Sequence, residues 1–452
     1  MGLFPLHLTP LESFFHADDR PSHPMAFIIV LDFSGVVDRP AFEESLREAI
    51  RRHPFLNAYI RPAKRGIPCW VAAKGDGPTV DWGDLSQPIS LPRGERIDLA
   101  TETGLRVWIR RGPDRTAATF QFHHACTDGI GAYRFLGDLM AYYGLRVPND
   151  FEPPRLEPVE PERLRNRQKL QIEYWRTDRY WSLAKRAIGM VGGMLRRRPA
   201  PLPSRDAAPR PTTTYPGIHS VSIARDEFEA IRASALASGA TLNDLLVTTL
   251  FGALHEWTQT VGDRSARRPL RLVMPTDLRD GESLTLPATC LTSYTFLTRE
   301  QAACRDPVEL LKSVALETTE IKNGRRGVHF SDTVALGLWC RALWTMIRAP
   351  VCLASAVMSN IGDPTRRFAA RLPRHDGRLV VGNLLLDDIT GVPPLRPHTR
   401  ATFSVFAYRR RLTISLRCDA AHLSDGDTEQ LLELYVRRLR SYAAAPAAVA
   451  TA

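Results

Sequence analysis

The stretch Ala118-Thr119-Phe120-Gln121-Phe122-His123-His124-Ala125-Cys126-Thr127-Asp128-Gly129 changes character halfway along. Side chains alternate faces along a strand, so Ala118, Phe120, Phe122 and His124 share one side while Thr119, Gln121 and His123 share the other. His124 therefore continues the apolar face. Loss of water at the end of a buried strand disfavours the imidazolium and keeps such a ring neutral near pH 7, the state a general base needs. The next residues read as a tight turn into a helix, with Gly129 allowing a conformation that a side chain would hinder. Asp128 either caps that helix or pairs with an arginine.

A lone histidine is usually structural, but His-His-x-x-x-Asp-Gly arises by chance in roughly one chain in a thousand of this length and composition. Adjacent strand histidines point to opposite faces and do not readily share one ion, so no metal is expected. Cys126 is the one tempting nucleophile, yet on a tight turn it need not meet His124. There is no Gly-x-Ser-x-Gly elbow either. A general base acting without a covalent intermediate needs only alignment with its substrate.

Outward from the motif, residues 107–109 and 116–124 read as paired strands across Gly112-Pro113-Asp114, residues 27–33 as a strand, and 38–53 and 130–143 as helices. Helices over 241–257 and 307–322, a strand at 270–274 and a hairpin of 403–408 with 412–416 complete an α/β pattern. The 452 residues are about two to three times a usual domain length, which predicts two lobes. The expected division is 1–165 for the motif lobe, 166–215 for a basic connection and 216–452 for the second lobe. No internal repeat is evident.

The net charge of +11 suits nucleic acid, an anionic membrane or a phosphorylated ligand such as coenzyme A. No recognised module supports nucleic acid. The seven cysteines are scattered without a C-x-x-C pair, and the start lacks an export or myristoylation pattern, so a cytoplasmic protein is expected. Arg341, Arg348 and Pro350 interrupt the apolar run from Val334 to Val357, which reads as a buried core helix rather than a span. From Tyr174 to Arg198, aromatic and apolar residues interleave with arginines and lysines. That is either an interfacial amphipathic element meeting a membrane or a linker helix with a solvated basic face.

The motif and further segments together resemble the chloramphenicol-acetyltransferase-like superfamily, which includes condensation domains, plant-type alcohol acyltransferases and wax ester synthases. The similar pieces are Leu8-Thr9-Pro10-Leu11-Glu12-Ser13-Phe14-Phe15, Arg52-His53-Pro54-Phe55-Leu56, Thr241-Leu242-Asn243-Asp244, Pro275-Thr276-Asp277-Leu278-Arg279 and Ser359-Asn360-Ile361-Gly362. The resemblance implies two lobes, each a mixed β-sheet flanked by helices, with a tunnel between them and His124 where donor and acceptor meet. It implies that His123, Asp128 and Gly129 support the motif and that Arg279 crosses to Asp128. Two departures stand out. The plant-type Asp-Phe-Gly-Trp-Gly signature is absent, and Asn57 stands where condensation domains often carry arginine.

The implied reaction is acyl transfer from a thioester to a hydroxyl or amine, with acyl-CoA or an acyl carrier protein's phosphopantetheine as co-substrate and no permanently bound cofactor. Acyl-CoA is preferred because the chain carries no fused carrier or adenylation module, and O-acylation is slightly favoured. Ser359 and Asn360 are oxyanion or tunnel candidates with an equal claim to structural roles. Asn243 and Asp244 read as architectural, and His53, His255 and His422 receive no role. The rivals are a condensation protein using carrier-bound acyl groups and a catalytically silent scaffold of the same fold.

Overall fold

A computed structural model describes residues 2–62, 66–171, 180–205, 215–262, 267–323 and 327–444. Its first sheet is built on the two alternating stretches, Ala26–Ser34 and Arg115–His123, which pair antiparallel. Their register sets Phe27 opposite Phe122, Ile29 opposite Phe120 and Leu31 opposite Ala118, so one face of the pair is continuously apolar. The helices Arg39–Arg52 and Gly129–Arg146 cover it with Phe42, Leu46, Phe135 and Leu139.

This sheet has seven strands and the second has six. The second runs Thr292–Arg299, Leu270–Asp277, Ala356–Gly362, Ala401–Tyr408, Arg411–Cys418 and His219–Ile223. Both mix parallel and antiparallel pairs. The helices Arg225–Ala237, Leu242–Val261, Pro307–Asn323 and Asp425–Ala444 pack on the second sheet around a separate core. The two layers are the two lobes of the chloramphenicol-acetyltransferase-like fold.

A division into consecutive spans misses one crossing. Strand Leu384–Val392, late in the chain, leaves the second lobe and pairs antiparallel with Ala26–Ser34 in the first sheet. Gly391 permits the approach, because a Cβ there would stand 2.3 Å from the carbonyl oxygen of Ile28.

The apolar run from Val334 to Val357 is not one buried helix. It divides into helix Gly327–Trp339, helix Leu343–Arg348 and strand Ala356–Gly362. Arg341 sits at φ 56° in the break, and the amide of Ala342 closes back on the carbonyl of Gly337 at 2.8 Å, a helix-ending arrangement. Leu343 and Ile347 are buried, whereas Trp339 is 82 % and Trp344 50 % exposed. Of the basic connection, Tyr174 and Trp175 lie outside the described residues. Helix Tyr180–Arg196 packs along Gly327–Trp339, with Ala187 buried and Ile188 and Leu195 exposed.

Helix Pro10–Asp18 is fixed by more than packing. Thr9 and Glu12 form a reciprocal capping box at its start. The buried Glu12 carboxylate also accepts two 2.7 Å hydrogen bonds from Arg167 and one of 3.0 Å from Trp70 Nε1. Arg167 is itself only 3 % exposed, so neither charge can fall back on water. Arg167→Ala strands the carboxylate and should lower stability by about 3–5 kcal/mol. Urea unfolding reads this directly, and a loss below about 1 kcal/mol, the range of an exposed pair, would contradict it.

Candidate active site

The motif strand ends at His123, and the amide of His124 donates to the carbonyl of Met25 at 2.7 Å. The His124 ring stacks on Phe15, with centroids 4.1 Å apart and planes 12° from parallel, and meets Phe27 edge-on at 5.2 Å. Burial between these rings pushes its pKa down to about 4, against the weaker opposing pull of the Asp128 charge. The ring is therefore neutral at pH 7. His123 turns the other way: its Nδ1 accepts from the Ala125 amide at 3.1 Å and its Nε2 faces Asp19 at 3.7 Å.

Asp128 is the most fully engaged side chain of the turn. Its carboxylate accepts from the Gly131 amide at 2.8 Å, which caps helix Gly129–Arg146, and from the Leu291 amide at 2.7 Å and Thr292 Oγ1 at 3.0 Å. Arg279, arriving from the end of strand Leu270–Asp277, grips both oxygens at 2.9 Å. The two roles considered for Asp128, cap and arginine partner, are thus filled together. Burial alone would raise this carboxyl, but the Arg279 charge and the converging hydrogen bonds outweigh it and hold the pKa below the usual range. Arg279 is held further by Asp277 at 3.1 Å and by the carbonyl of Thr289 at 2.9 Å.

The steric demand placed on Gly129 falls instead on Gly131. A Cβ at 129 would touch only Ile361, at an ordinary 3.7 Å, whereas one at 131 would lie 2.3 Å from Thr127 Oγ1 and 2.9 Å from the Thr289 backbone. Gly129 lines a cavity of about 390 Å³ whose wall is shared by both lobes. His124, Phe14 and Tyr133 come from one side, and Asn243, Ser359 and Asn360 from the other. Asn360 Nδ2 donates to Asn243 Oδ1 at 3.1 Å, while Asp244 is occupied by its own helix cap and by Thr318. Of the pair read as architectural, only Asp244 is confined to that role.

Two residues assigned no role from sequence contribute to the site. Cys290 places Sγ 3.9 Å from His124 Nδ1, in a pocket whose burial pushes the thiol pKa well up. His53, fully buried, accepts from the Ala288 amide at Nδ1 (2.8 Å), so its Nε2 carries the proton toward Asp138 at 3.1 Å. That contact anchors the segment leading to Cys290. Neither residue has a neighbour in sequence that signals it. Cys126 is wholly buried away from the cavity, packed so closely on Gly104 that a Cβ there would meet its sulfur at 2.0 Å.

Paired histidines at a strand end, a buried Asp–Arg lock and a cavity walled by two lobes define the two-lobed chloramphenicol-acetyltransferase-like class. Within it, this chain belongs to the condensation-domain family, whose model, Condensation domain, matches residues 14–262. It is similar to bacitracin synthase 3 of Bacillus licheniformis, at 28 % identity over 156 residues, covering 32 % of this chain but only 2 % of that protein. It is also 27 % identical over 398 residues to the protein named "Probable diacyglycerol O-acyltransferase Tgs4" of Mycobacterium tuberculosis, covering 77 % of this chain and 80 % of the other. Among solved structures, the starter condensation domain of rhizomide synthetase RzmA, in complex with C8-CoA and Leu-SNAC, superposes with a TM-score of 0.66. That match is at 15 % identity over 98 % of this chain and 95 % of the other.

Because the Asp128 pKa is lower in the folded than in the unfolded chain, its contribution is complete above the unfolded value of about 3.9 and lost as pH falls through the folded one. Asp128→Asn should therefore cost about 3–5 kcal/mol at pH 7, with the gap to the native protein closing on acidification below roughly pH 4. Parallel urea titrations at several pH values test this. A gap independent of pH would refute it.

Proposed function

We propose that the chain transfers an acyl group from a thioester to an acceptor hydroxyl or amine, with His124 as general base. The observation that carries this is a neutral, desolvated imidazole on the wall of an interlobe cavity. With Nδ1 directed to Cys290, Nε2 takes the acceptor proton as the oxygen or nitrogen bonds to the thioester carbon. The tetrahedral intermediate then breaks its C–S bond, and the proton passes from His124 to the departing thiolate. No covalent acyl-enzyme is needed.

The Gly131 amide is committed to Asp128, so it is not available to the oxyanion. Asn360 is braced against Asn243 and the Gly362 amide, which leaves the Ser359 hydroxyl as the better placed side-chain donor on that strand. One such donor is worth roughly 3–4 kcal/mol in a tetrahedral transition state.

The donor we favour is an acyl-CoA. A neighbour of the same fold was solved with C8-CoA, and exposed Lys322 and Arg367 line the cavity with charge suited to phosphates. Phe14, Tyr294, Phe296 and Phe330 cluster on its wall with ring centroids 5.2–6.4 Å apart, an apolar lining suited to a long acyl chain. The relative named as a diacylglycerol O-acyltransferase favours a lipid alcohol over an amine as acceptor, and hence contact with a membrane. Condensation of a carrier-bound acyl group is the second reading, favoured by the family match itself.

Purified protein supplied with acyl-CoAs or acyl carrier protein thioesters, and with alcohol or amine acceptors, separates these readings by free-thiol release. His124→Ala should lose about 10²–10⁴ in turnover while remaining folded. Undiminished turnover in that variant would end the base assignment, and silence of the native protein with every donor would favour a scaffold. With a base titrating near 4, kcat/KM should stay level from pH 9 down to about 6 and fall only as His124 protonates below that.

A further inference from the structure

Helix Gly327–Trp339, which packs on strand Thr292–Arg299 of the second sheet, and two of its helical neighbours leave a surface that their own packing does not explain. Trp339 is 82 % exposed, Ile188 68 %, Trp344 50 % and Leu195 45 %, spread over helix Gly327–Trp339 and two helices that pack on it, Tyr180–Arg196 and Leu343–Arg348. Large apolar side chains so free of contact are uncommon in a soluble face, whereas tryptophan is suited to the boundary between water and lipid.

The same surface is basic. Arg348 lies 5.0 Å over the Trp344 ring, and Arg341 is exposed in the turn between the tryptophans. At the end of helix Tyr180–Arg196, a depression is lined by Arg196, Arg197, Arg198, Arg267 and Arg268 with, among the described residues, a single carboxylate, Glu300. Arg271 ties this basic run to the segment after Leu343–Arg348. It donates at 2.7 Å to the carbonyl of Arg197 and at 3.3 Å to that of Leu353.

One helix joins this surface to the cavity. In Gly327–Trp339, Phe330 lines the cavity wall and Trp339 projects nine residues on, about 13 Å along the axis.

We infer that Trp339, Trp344, Ile188 and Leu195, with the flanking arginines, form a docking face for an anionic lipid bilayer, which brings membrane-held substrate to the mouth of the cavity. The charge complementarity decides the occupant: tryptophans insert at the headgroup level while arginines meet lipid phosphates. The inference extends the lipid-acceptor reading, but binding is measurable without turnover.

The test is co-sedimentation of the full chain with vesicles of phosphatidylcholine, alone or mixed with phosphatidylglycerol, at low and high salt. The native protein should partition onto the mixed vesicles and be released by salt. Trp339→Ser with Trp344→Ser should weaken binding at least about tenfold. Arg196→Gln with Arg198→Gln should weaken it roughly 25-fold, at about fivefold per arginine. All four sites are exposed, and melting curves verify that the variants fold. Brominated lipid should quench the native protein's fluorescence and spare the double tryptophan variant. His124→Ala should bind as the native protein does, so that failure of the base assignment and failure of docking are told apart. Native protein that stays in the supernatant of mixed vesicles at low salt overturns the inference, as does equal binding by all variants. So does a result in which the arginine variant loses only the use of an acyl carrier protein donor, which would assign the face to an acidic protein.

Discussion

Everything at the site is registered by one buried carboxylate. Asp128 offers two oxygens to five donors, drawn from its own helix, from the segment 291–292 and from the guanidinium that ends a strand of the other sheet. A buried ion pair seldom adds much net stability, since desolvation of both partners offsets their attraction. What it adds here is geometry. The planar guanidinium meets both oxygens at the same 2.9 Å, so the turn after His124 and the end of the second lobe's strand cannot slide past each other without breaking paired bonds. The approach requires Gly131, since any side chain there would push Thr127 and Thr289 apart.

With Asp128 so occupied, it is not the partner of the base. His124 is oriented by stacking on Phe15, and Phe15 belongs to a helix whose start is held by Glu12 and Arg167. This differs from a triad, in which a carboxylate on the far ring nitrogen raises basicity. An imidazole surrounded by phenylalanines stays unprotonated but is a weak base. In the proposed reaction its proton transfer becomes favourable only once the acceptor atom has begun to bond to the carbonyl carbon and grown more acidic. A base of that kind would discriminate in favour of a correctly positioned thioester.

The parts of this arrangement legible in the sequence are those with a local signature. Alternation from Ala118 to His124 gave the strand and the inward histidine, and capping patterns gave the starts of helices at Asp128 and Thr241. Arg279 came from the resemblance, because nothing in its own surroundings specifies a partner 151 residues away. Arg167 stands 155 residues from Glu12, and the crossing of Leu384–Val392 into the first sheet joins strands from opposite ends of the chain. No periodicity encodes such pairings. The apolar run from Val334 to Val357 misleads for a different reason: hydropathy reports which residues dislike water, not which ones the fold leaves in it. Gly129 and Gly131 are equally glycine in sequence, and only the packing of Thr127 and of the Thr289 backbone distinguishes them.

For the acyl transfer proposed above, the two lobes would also divide the physical problem of handling a long acyl chain. Such a chain gains roughly 0.8 kcal/mol for each methylene removed from water, so a cavity that binds it well from solution would release its product slowly. A wall built partly from a helix whose far end is exposed offers a lower gradient, because the chain can exchange one apolar surface for another. Phe330 and Trp339 stand at the two ends of that helix, while Phe14, on the helix held by Glu12, contacts Phe330 edge-on with centroids 5.2 Å apart. The ring stacked on His124 and the ring nearest the exposed helix are therefore consecutive residues of one helix, Phe15 and Phe14. One turn of that helix thus links Phe330 to the His124 ring, and Glu12 with Arg167 holds the start of the helix that carries both contacts.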